Sequence, residues 1–263
     1  MRILFVGDVF GTIGRRILAE RLSSLKTELE IDLCIANGEN AAGGSGLTNN
    51  IIRKFRKYGI DIITNGNHIF ANQDCFTNLQ NDEFVLRPHN FPDGNIGKGT
   101  AVYTMENGTK VGILNLQGRT FFHEITDCPF RIARTIISEL SKHTPVILID
   151  FHAEASSEKK SLFYYLDGKV SAIIGTHTHI QTADEIVSPN GTAYITDAGM
   201  TGPENSCIGV KPQQVIQKFI LQTPVKFEPS SDGPMLNAVM VDIEESSGKA
   251  QAISRVYERI SFT

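Results

Sequence analysis

The stretch Arg2-Ile-Leu-Phe-Val-Gly-Asp8 indicates the class of fold, because a nearly unbroken apolar run is followed at once by glycine and a carboxylate. Such a run predicts a buried β-strand over Arg2–Val6. Isoleucines and leucines then recur at helical spacing over residues 13–29. A buried strand followed by an amphipathic helix is the unit from which α/β proteins are built, so we expect a fold of this class.

The strand-then-helix pattern recurs along the chain. Further strands are predicted over residues 32–36, 60–64, 145–151, 170–175 and 192–196. Helices are predicted over residues 48–58, 72–79, 156–166 and 213–221. Because helical crossovers connect parallel strands, we expect the first three strands to pair in parallel.

Two further strand pairs have the composition of hairpins. The first joins residues 100–105 to residues 110–116 through Asn107-Gly108, a strong turn signal. The second joins residues 238–244 to residues 250–258. We therefore expect mixed β-sheets flanked by α-helices, and the number of strands favours two packed sheets, a sandwich.

Composition excludes several classes of protein. Hydrophobic residues make up 41% and charged residues 21% of the chain, which is typical of a globular protein. A formal net charge of −4 gives no general attraction for long nucleic acids. The four cysteines form no CxxC pair, and no apolar run is long enough for a signal-peptide core or a membrane span. We expect a cytoplasmic protein without a membrane partner, and a single domain over residues 1–263 because no repeat or linker divides it.

Polar side chains follow five of the predicted strands at the point where each strand ends. The five ends contain the motifs Gly7-Asp8, Asn37-Gly-Glu-Asn40, Asn65-Gly-Asn-His68, His152-Ala-Glu154 and Thr176-His-Thr-His179. Ligands of open α/β sheets bind beyond the carboxyl ends of the parallel strands. We therefore expect seven oxygen or imidazole ligands to converge on one edge.

Each motif taken alone has a simpler interpretation. Asp8 could cap a helix, Glu39 and Asn40 could be solvated turn residues, and His152 could be a hydrogen-bonded histidine at the margin of a sheet. The two histidines after Thr176 require a bend if both are ligands, because alternate residues of extended backbone point to opposite sides. One metal cluster explains all five strand ends, and we favour it for that reason.

The donor types indicate the metal. Carboxylate, carboxamide and imidazole groups without thiolate suit borderline divalent ions such as manganese, iron, zinc, cobalt or nickel. Seven donors exceed the needs of one ion, which favours two ions ~3.5–4 Å apart, bridged by a carboxylate. Such pairs promote in-line displacement at phosphorus, because they activate water and neutralise phosphoryl charge.

Six motifs, in order along essentially the whole chain, carry a resemblance to a known family. They are Gly7-Asp-Val-Phe-Gly11, Asn37-Gly-Glu-Asn-Ala-Ala-Gly-Gly44, Thr64-Asn-Gly-Asn-His68, Arg87-Pro-His-Asn-Phe-Pro92, Asp150-Phe-His-Ala-Glu154 and Gly175-Thr-His-Thr-His179. The chain resembles the YmdB-like branch of the bacterial calcineurin-like metallophosphoesterases, a branch of cyclic-nucleotide phosphodiesterases. The resemblance implies the calcineurin-like fold and a phosphodiesterase whose expected substrates are 2′,3′-cyclic nucleotides.

The resemblance also implies a role for each site residue. Glu39 would be the carboxylate that bridges two ions. The other ligands would form two groups: Asp8, Asn40 and His179 at one ion, and Asn67, His152 and His177 at the other. His68 would be the general acid, which protonates the leaving alkoxide after a metal-bound hydroxide attacks phosphorus. Its alternative role is that of a hydrogen-bond donor that orients a ligand.

The chain departs from the wider superfamily in two motifs. That superfamily usually has Asp-x-His at the first strand and Gly-Asp-x-x-Asp at the second, where this chain has Asp8-Val-Phe10 and Gly38-Glu-Asn40. Phe10 has no atom that binds a metal ion. The expectation is therefore the iron or manganese of the YmdB-like branch, with zinc, cobalt and nickel as alternatives.

Two loops are candidates for contacts with the base or ribose, residues 87–92 and residues 118–122. Arg87 and Arg119 within them are candidate phosphate partners, since guanidinium groups bind phosphate oxygens well.

Two other functions stay open. A regulatory metal- or nucleotide-binding protein with negligible turnover would not need the complete ligand set or His68. A nuclease or RNA-processing phosphodiesterase would share the metal chemistry but should carry a basic groove. The expected partner is a small phosphodiester substrate, with RNA and a second copy of the chain as further candidates.

Overall fold

The computed structural model describes residues 1–262, and within that range the strands form two β-sheets. The first sheet consists of β1 (Arg2–Val6), β2 (Asp8–Val9), β3 (Leu33–Asn37), β4 (Ile62–Thr64), β11 (Met200–Pro203), β12 (Pro234–Ile243) and β13 (Ala250–Arg259). The second sheet consists of β5 (Thr100–Thr104), β6 (Lys110–Gln117), β7 (Ile147–His152), β8 (Ala172–Thr176), β9 (Ile186–Val187) and β10 (Ala193–Ile195).

Both sheets are mixed, as the sequence predicts. The first has the order β2-β11-β12-β1-β3-β4, with β13 paired to β12, and the second has the order β5-β6-β7-β8-β10-β9. β1, β3 and β4 pair in parallel, which confirms the prediction for the first three strands. Both predicted hairpins are antiparallel, β5 with β6 and β12 with β13. Strands β6, β7, β8 and β10 form the parallel part of the second sheet.

Six α-helices lie within residues 1–262. They are α1 (Gly11–Glu28), α2 (Asn49–Tyr58), α3 (Phe76–Asn81), α4 (Pro129–Leu140), α5 (Ser156–Leu166) and α6 (Pro212–Leu221). Local interactions determine where α2 begins and ends. The Thr48 hydroxyl accepts a hydrogen bond from the backbone N–H of Ile51, and Gly59 ends the helix with φ +93°. A hydroxyl at the start and a left-handed glycine at the end satisfy backbone groups that the helix leaves unpaired.

The structure differs from the sequence prediction at a few elements. The predicted helix over residues 72–79 is a 3₁₀ turn, Gln73–Cys75, followed by α3. Helix α4 is not among the predicted elements, although its buried residues recur at helical spacing after Pro129. Strands β2, β9 and β11 are also absent from the prediction, because these segments of two to four residues do not lie within a longer β-rich run. Strands β4 and β10 have three residues each, but they lie within predicted runs of five.

Three layers of apolar packing hold the elements together. Ile3 and Phe5 of β1 lie in a core shared with the second sheet, whereas Leu4 and Val6 pack against α1 and α2. Successive residues of a strand face opposite sides, so an unbroken apolar run is required when both faces are buried. A third cluster packs α4 and α5 on the outer face of the second sheet. The sheets therefore form a sandwich with helices on both outer faces, as predicted.

Within residues 1–262, no helix combines the length and the hydropathy that a membrane span requires. All four cysteines are free thiols.

Candidate metal centre

The structure brings all seven predicted ligands into one connected cluster. Each lies at or just after the end of a strand: Asp8 opens β2, Glu39 and Asn40 follow β3, Asn67 follows β4, His152 ends β7, and His177 and His179 follow β8. Asn67 and His177 are half-buried and the other five are buried. The expected convergence on one edge of the sheets is therefore present in the fold.

His152 lies at the centre of the cluster. Its Nε2 is 3.1 Å from Glu39 Oε1, 3.2 Å from Asn67 Oδ1 and 3.0 Å from His177 Nδ1. Glu39, His152 and His177 each offer a ligand atom within 4.8 Å of the others. These atoms carry lone pairs, and such a convergence is unfavourable unless a cation or a proton lies among them.

The tautomer of His152 follows from its other nitrogen. His152 Nδ1 is 2.9 Å from Thr176 Oγ1, and that hydroxyl donates to Asp150 Oδ1 at 2.7 Å. Since the hydroxyl proton is used on Asp150, the oxygen accepts from His152 Nδ1. Asp150 also accepts from Asn37 Nδ2 at 3.1 Å, so the whole chain of hydrogen bonds is anchored in the sheets. Nε2 is left facing the cluster, as in metal-binding histidines.

The other two histidines are oriented in the same way. His177 Nε2 contacts Glu154 Oε2 at 3.1 Å, which turns Nδ1 towards the cluster. His179 Nδ1 donates to the carbonyl oxygen of Ile208 at 2.9 Å, which turns Nε2 inwards. Burial lowers the pKa of His177 to about 3 and also lowers the pKa of His179, so both rings are neutral and offer lone pairs.

The carboxylates of the cluster favour a bound cation. Asp8 is fully buried; its Oδ2 accepts from the His177 N–H at 3.1 Å, while Oδ1 has no hydrogen-bond partner among residues 1–262. Burial raises the pKa of Asp8 well above its usual value. Burial alone would lower the pKa of His152, but Glu39 and Asp8 raise it to about 9. The raised pKa of His152 shows that its surroundings stabilise positive charge. These surroundings, together with the unpaired Oδ1 of Asp8, fit a site for a divalent cation.

Asn40 connects the cluster to His68. Its Nδ2 is 3.0 Å from His179 Nε2 and 3.2 Å from Glu39 Oε1, and its Oδ1 is 3.0 Å from His68 Nδ1. The carboxamide thus turns its nitrogen towards His179. If Asn40 binds a metal ion through Oδ1, its amide group must rotate. That rotation changes only a side-chain torsion and leaves the backbone in place.

Two backbone features place the ligands. His177 and His179 have φ of +104° and +66°, which confirms that the stretch after β8 bends as two ligands there require. Gly66 lies against the cluster, and a Cβ at this position would collide with the His152 ring and with Glu39 Oε2. Only glycine permits this close approach of the loop after β4.

A buried ion pair supports the bend from behind. Lys159 Nζ is 2.8 Å from Asp197 Oδ2, and the two side chains are 1% and 0% exposed. Asp197 also accepts from the backbone N–H of Thr178, between the two histidines, at 3.0 Å, and from Gly199 N–H at 2.9 Å. The pair therefore ties α5 to the ligand-bearing bend.

Replacing Lys159 by methionine is expected to destabilise the protein by about 3 kcal/mol, because it leaves the Asp197 charge buried without its partner. Chemical denaturation measures the loss. Lys142→Met is the matched control, since the Lys142–Glu139 pair is 62% and 61% exposed and should contribute less than ~1 kcal/mol. Equal losses in the two variants would show that the buried pair does not hold the bend.

The two arginines of the substrate loops have different surroundings. Arg87 is 8% exposed and donates to the carbonyl oxygens of Pro88 at 2.8 Å and of Ile96 at 3.1 Å. Its guanidinium thus donates to carbonyl oxygens of its own loop, and its role as a phosphate partner stays a prediction. Arg119 is exposed, and its role stays a prediction. Its loop does reach the cluster, because the Phe122 ring centroid is 4.8 Å from that of His177.

Sequence reasoning assigned no role to several residues that orient the ligands. Glu154 and Thr176 belong to the strand-end motifs and Asp150 belongs to the motif Asp150-Phe-His-Ala-Glu154, and their polarity at or beside buried strands is the available signal. Lys159 and Asp197 gave no signal, since a lysine in a polar helix is typical of a protein surface.

An open cleft of about 520 Å³ gives access to the cluster. Its polar lining includes Glu39, Asn40, His68, His177 and His179, and its apolar lining includes Phe10, Ile208, Val210, Phe227 and Pro229. The volume lies within the range of small-molecule sites.

A two-sheet α/β fold with a buried carboxylate, carboxamide and imidazole cluster beside an open cleft has the features of a metal-binding enzyme site. The chain belongs to the YmdB-like protein family, whose model matches residues 4–256. The resemblance seen in the six motifs is thereby confirmed.

Relatives and solved structures match the chain over nearly its whole length. A 2′,3′-cyclic-nucleotide 2′-phosphodiesterase of Bacillus subtilis (strain 168) is 45% identical over 97% of this chain and 96% of its own length. A structure described as a novel phosphatase of Mycoplasma pneumoniae superposes with a TM-score of 0.93 at 34% identity, covering 98% of this chain and 93% of that one. A hypothetical protein of Thermus thermophilus has a TM-score of 0.92 at 36% identity, covering 98% and 99%.

Proposed function

We propose that this chain is a dinuclear metal-dependent phosphodiesterase of calcineurin-like fold. Its substrates are small cyclic nucleotides, and 2′,3′-cyclic nucleotides are the preferred ones. The observation that carries the proposal is the convergence of Glu39 Oε1, Asn67 Oδ1 and His177 Nδ1 on His152 Nε2, within 3.2 Å. The Bacillus subtilis relative supports the substrate by its name. Bound divalent ions would activate water and neutralise phosphoryl charge.

The contacts support two ions rather than one. Glu39 Oε1 lies 3.1 Å from His152 Nε2 and 3.2 Å from Asn40 Nδ2, so it stands between the two proposed ligand groups. Asn67, His152 and His177 form the first group, and Asn40 with His179 forms the second. Asp8 contacts the first group through the His177 N–H. Its assignment to the second ion comes from the family resemblance.

His68 is proposed as the general acid. Its side chain is 41% exposed and lines the cleft, and its backbone N–H donates to Glu39 Oε2 at 3.1 Å. Asn40 Oδ1 lies 3.0 Å from His68 Nδ1. Once the amide rotates to serve as an oxygen ligand, Asn40 Nδ2 would donate to His68 Nδ1 and leave Nε2 to carry the proton for a leaving alkoxide. Asn40 would thus position His68 in addition to its proposed role as a ligand.

The remaining proposals concern the protein as a whole. The chain is a single catalytic domain over residues 1–263, with iron or manganese as the metal. Four free cysteines support a reducing, cytoplasmic location.

A substrate panel tests the proposed activity. With manganese or ferrous iron, we expect 2′,3′-cyclic nucleotides to be hydrolysed faster than 3′,5′-cyclic nucleotides, linear dinucleotides or phosphomonoesters. A five-membered cyclic ester keeps its leaving oxygen tethered, so a single attack with protonation by His68 opens it.

Steady-state kcat/KM for each substrate is the measurement, with a chelator-treated sample as control. A clear preference for long RNA would favour the nuclease function instead, and one for phosphomonoesters would contradict the cyclic-nucleotide assignment. Nucleotide binding without turnover would favour a regulatory protein.

A further inference from the structure

A strained turn borders the cleft beside His179. Ile208 and Gly209 are the central residues of this turn, which is closed by hydrogen bonds from Cys207 N to Val210 O at 2.8 Å and from Val210 N to Cys207 O at 3.0 Å. Their φ values are +48° and +99°. Two-residue turns with positive φ at both positions favour Asn-Gly, and a β-branched residue there is a marked outlier. Position 208 is an isoleucine, although an asparagine would adopt this backbone conformation more readily.

The backbone role of Ile208 does not explain its side chain. Its carbonyl oxygen accepts the hydrogen bond from His179 Nδ1 at 2.9 Å, and any residue in the same conformation would supply that oxygen. The side chain is 56% exposed and lines the cleft. Strained residues persist where function needs them, so the apolar side chain itself needs an explanation.

Phe227 is a second exposed apolar residue of the same cleft. It is 47% exposed and lines the cleft with Ile208. Its segment is tied to the strained turn by hydrogen bonds from Lys211 N to Glu228 O at 3.1 Å and from Ser230 N to Gly209 O at 2.8 Å. The apolar lip, defined as Ile208 and Phe227, is therefore attached through one hydrogen-bonded loop pair to His179.

We propose that the apolar lip is the nucleobase subsite of the cleft, where a base packs while the phosphate of the same molecule lies at the metal-ligand cluster. This inference rests on the proposed function and names the part of the substrate that the metal cluster does not bind. A cyclic nucleotide presents an anionic phosphodiester and a flat ring with apolar faces, which match the two kinds of lining. Base stacking on an aromatic side chain tolerates all four bases, because every base has a π-face.

Binding of product-like ligands tests the subsite independently of turnover. Adenosine 3′-monophosphate carries a base and a phosphate, whereas glycerol phosphate carries only the phosphate. By calorimetry with manganese present, we expect the native protein to bind the nucleotide at least ~10-fold more tightly, and Phe227→Ala to remove most of that advantage. Phe219→Ala is the matched control, since Phe219 is 74% exposed on α6 and does not line the cleft.

Ile208→Asn separates the subsite from the stability of the fold. Asparagine tolerates positive φ, so this variant should unfold at a higher temperature than the native protein, while its nucleotide-to-glycerol-phosphate affinity ratio falls several-fold. Misfolding cannot explain a variant that loses its preference for the nucleotide and at the same time unfolds at a higher temperature.

Two results would overturn the subsite. One is a native protein that binds the two ligands equally, and the other is a ratio that stays within twofold of the native value in both lip variants. Turnover of 2′,3′-cyclic AMP, measured on the same samples, tests the proposed function separately. A protein that binds adenosine 3′-monophosphate through the lip but opens no cyclic ester would contradict the proposed function alone.

Discussion

Glu39→Gln is expected to lower phosphodiester hydrolysis by more than ~10³-fold and to reduce the bound metal. Removal of one group that stabilises charge in a transition state commonly costs ~10²–10³-fold, and a group that also holds two ions should cost more. Glutamine has nearly the size of glutamate but lacks its full negative charge. The variant therefore tests the charge of the proposed bridge rather than its shape.

The surroundings of Glu39 indicate why the charge matters. Its side chain is 1% exposed and accepts from the His68 N–H at 3.1 Å and from Asn40 Nδ2 at 3.2 Å. Burial alone would raise the pKa of Glu39, but the neighbouring His152 and His68 hold it well below its usual value. The carboxylate is thus ionised at the point where the two ligand groups meet.

Elemental analysis of metal content should accompany the kinetics of this variant. Glu20→Gln is a suitable control, because Glu20 lies on the exposed face of α1 beside Arg16. Retention of two ions with near-native turnover in Glu39→Gln would show that the bridging assignment is wrong.

His68→Ala is expected to lower turnover by ~10²–10⁴-fold while leaving metal content largely intact, the usual range for loss of a general acid or base. The loss should shrink on bis-p-nitrophenyl phosphate, because p-nitrophenolate leaves without protonation. Its side chain contacts Asn40 Oδ1 rather than Asp150 or Thr176, so the hydrogen bonds that orient His152 should survive the change.

The comparison of leaving groups distinguishes the roles open to His68. Equal losses on aryl and alkyl phosphodiesters would assign His68 to binding or to stabilisation of charge on phosphorus. Loss of metal would assign it to the orientation of Asn40. His143→Ala provides the control, since His143 is exposed in the turn that follows α4.

Much of the fold was predictable from the sequence because its signals are local. The bounds of α5 agree with the prediction over Ser156–Leu166, and the Asn107-Gly108 turn joins the expected hairpin. Helix α4 was missed although its pattern was present, whereas β2, β9 and β11 could not be found from a period. Their few residues become strands only when neighbouring strands supply hydrogen bonds.

The sequence by itself determined which side chains would meet. A residue after a buried parallel strand lies at the carboxyl edge of its sheet whatever the rest of the chain does. The sequence alone therefore groups five ligands: Asp8, Glu39, Asn67, His152 and His177. Their convergence is observed, while their metal-binding roles stay proposals.

The tertiary structure decided how those side chains are held and what lies beside them. The Lys159–Asp197 pair and the Ile208 carbonyl on His179 join residues 38 and 29 positions apart. The guanidinium of Arg87 is occupied by carbonyl oxygens of its own loop, which its motif did not reveal. Such contacts depend on the distances and angles between packed loops, and on whether a hydrogen-bond donor already has a partner. The periodicity and spacing of residues in a sequence contain neither kind of information.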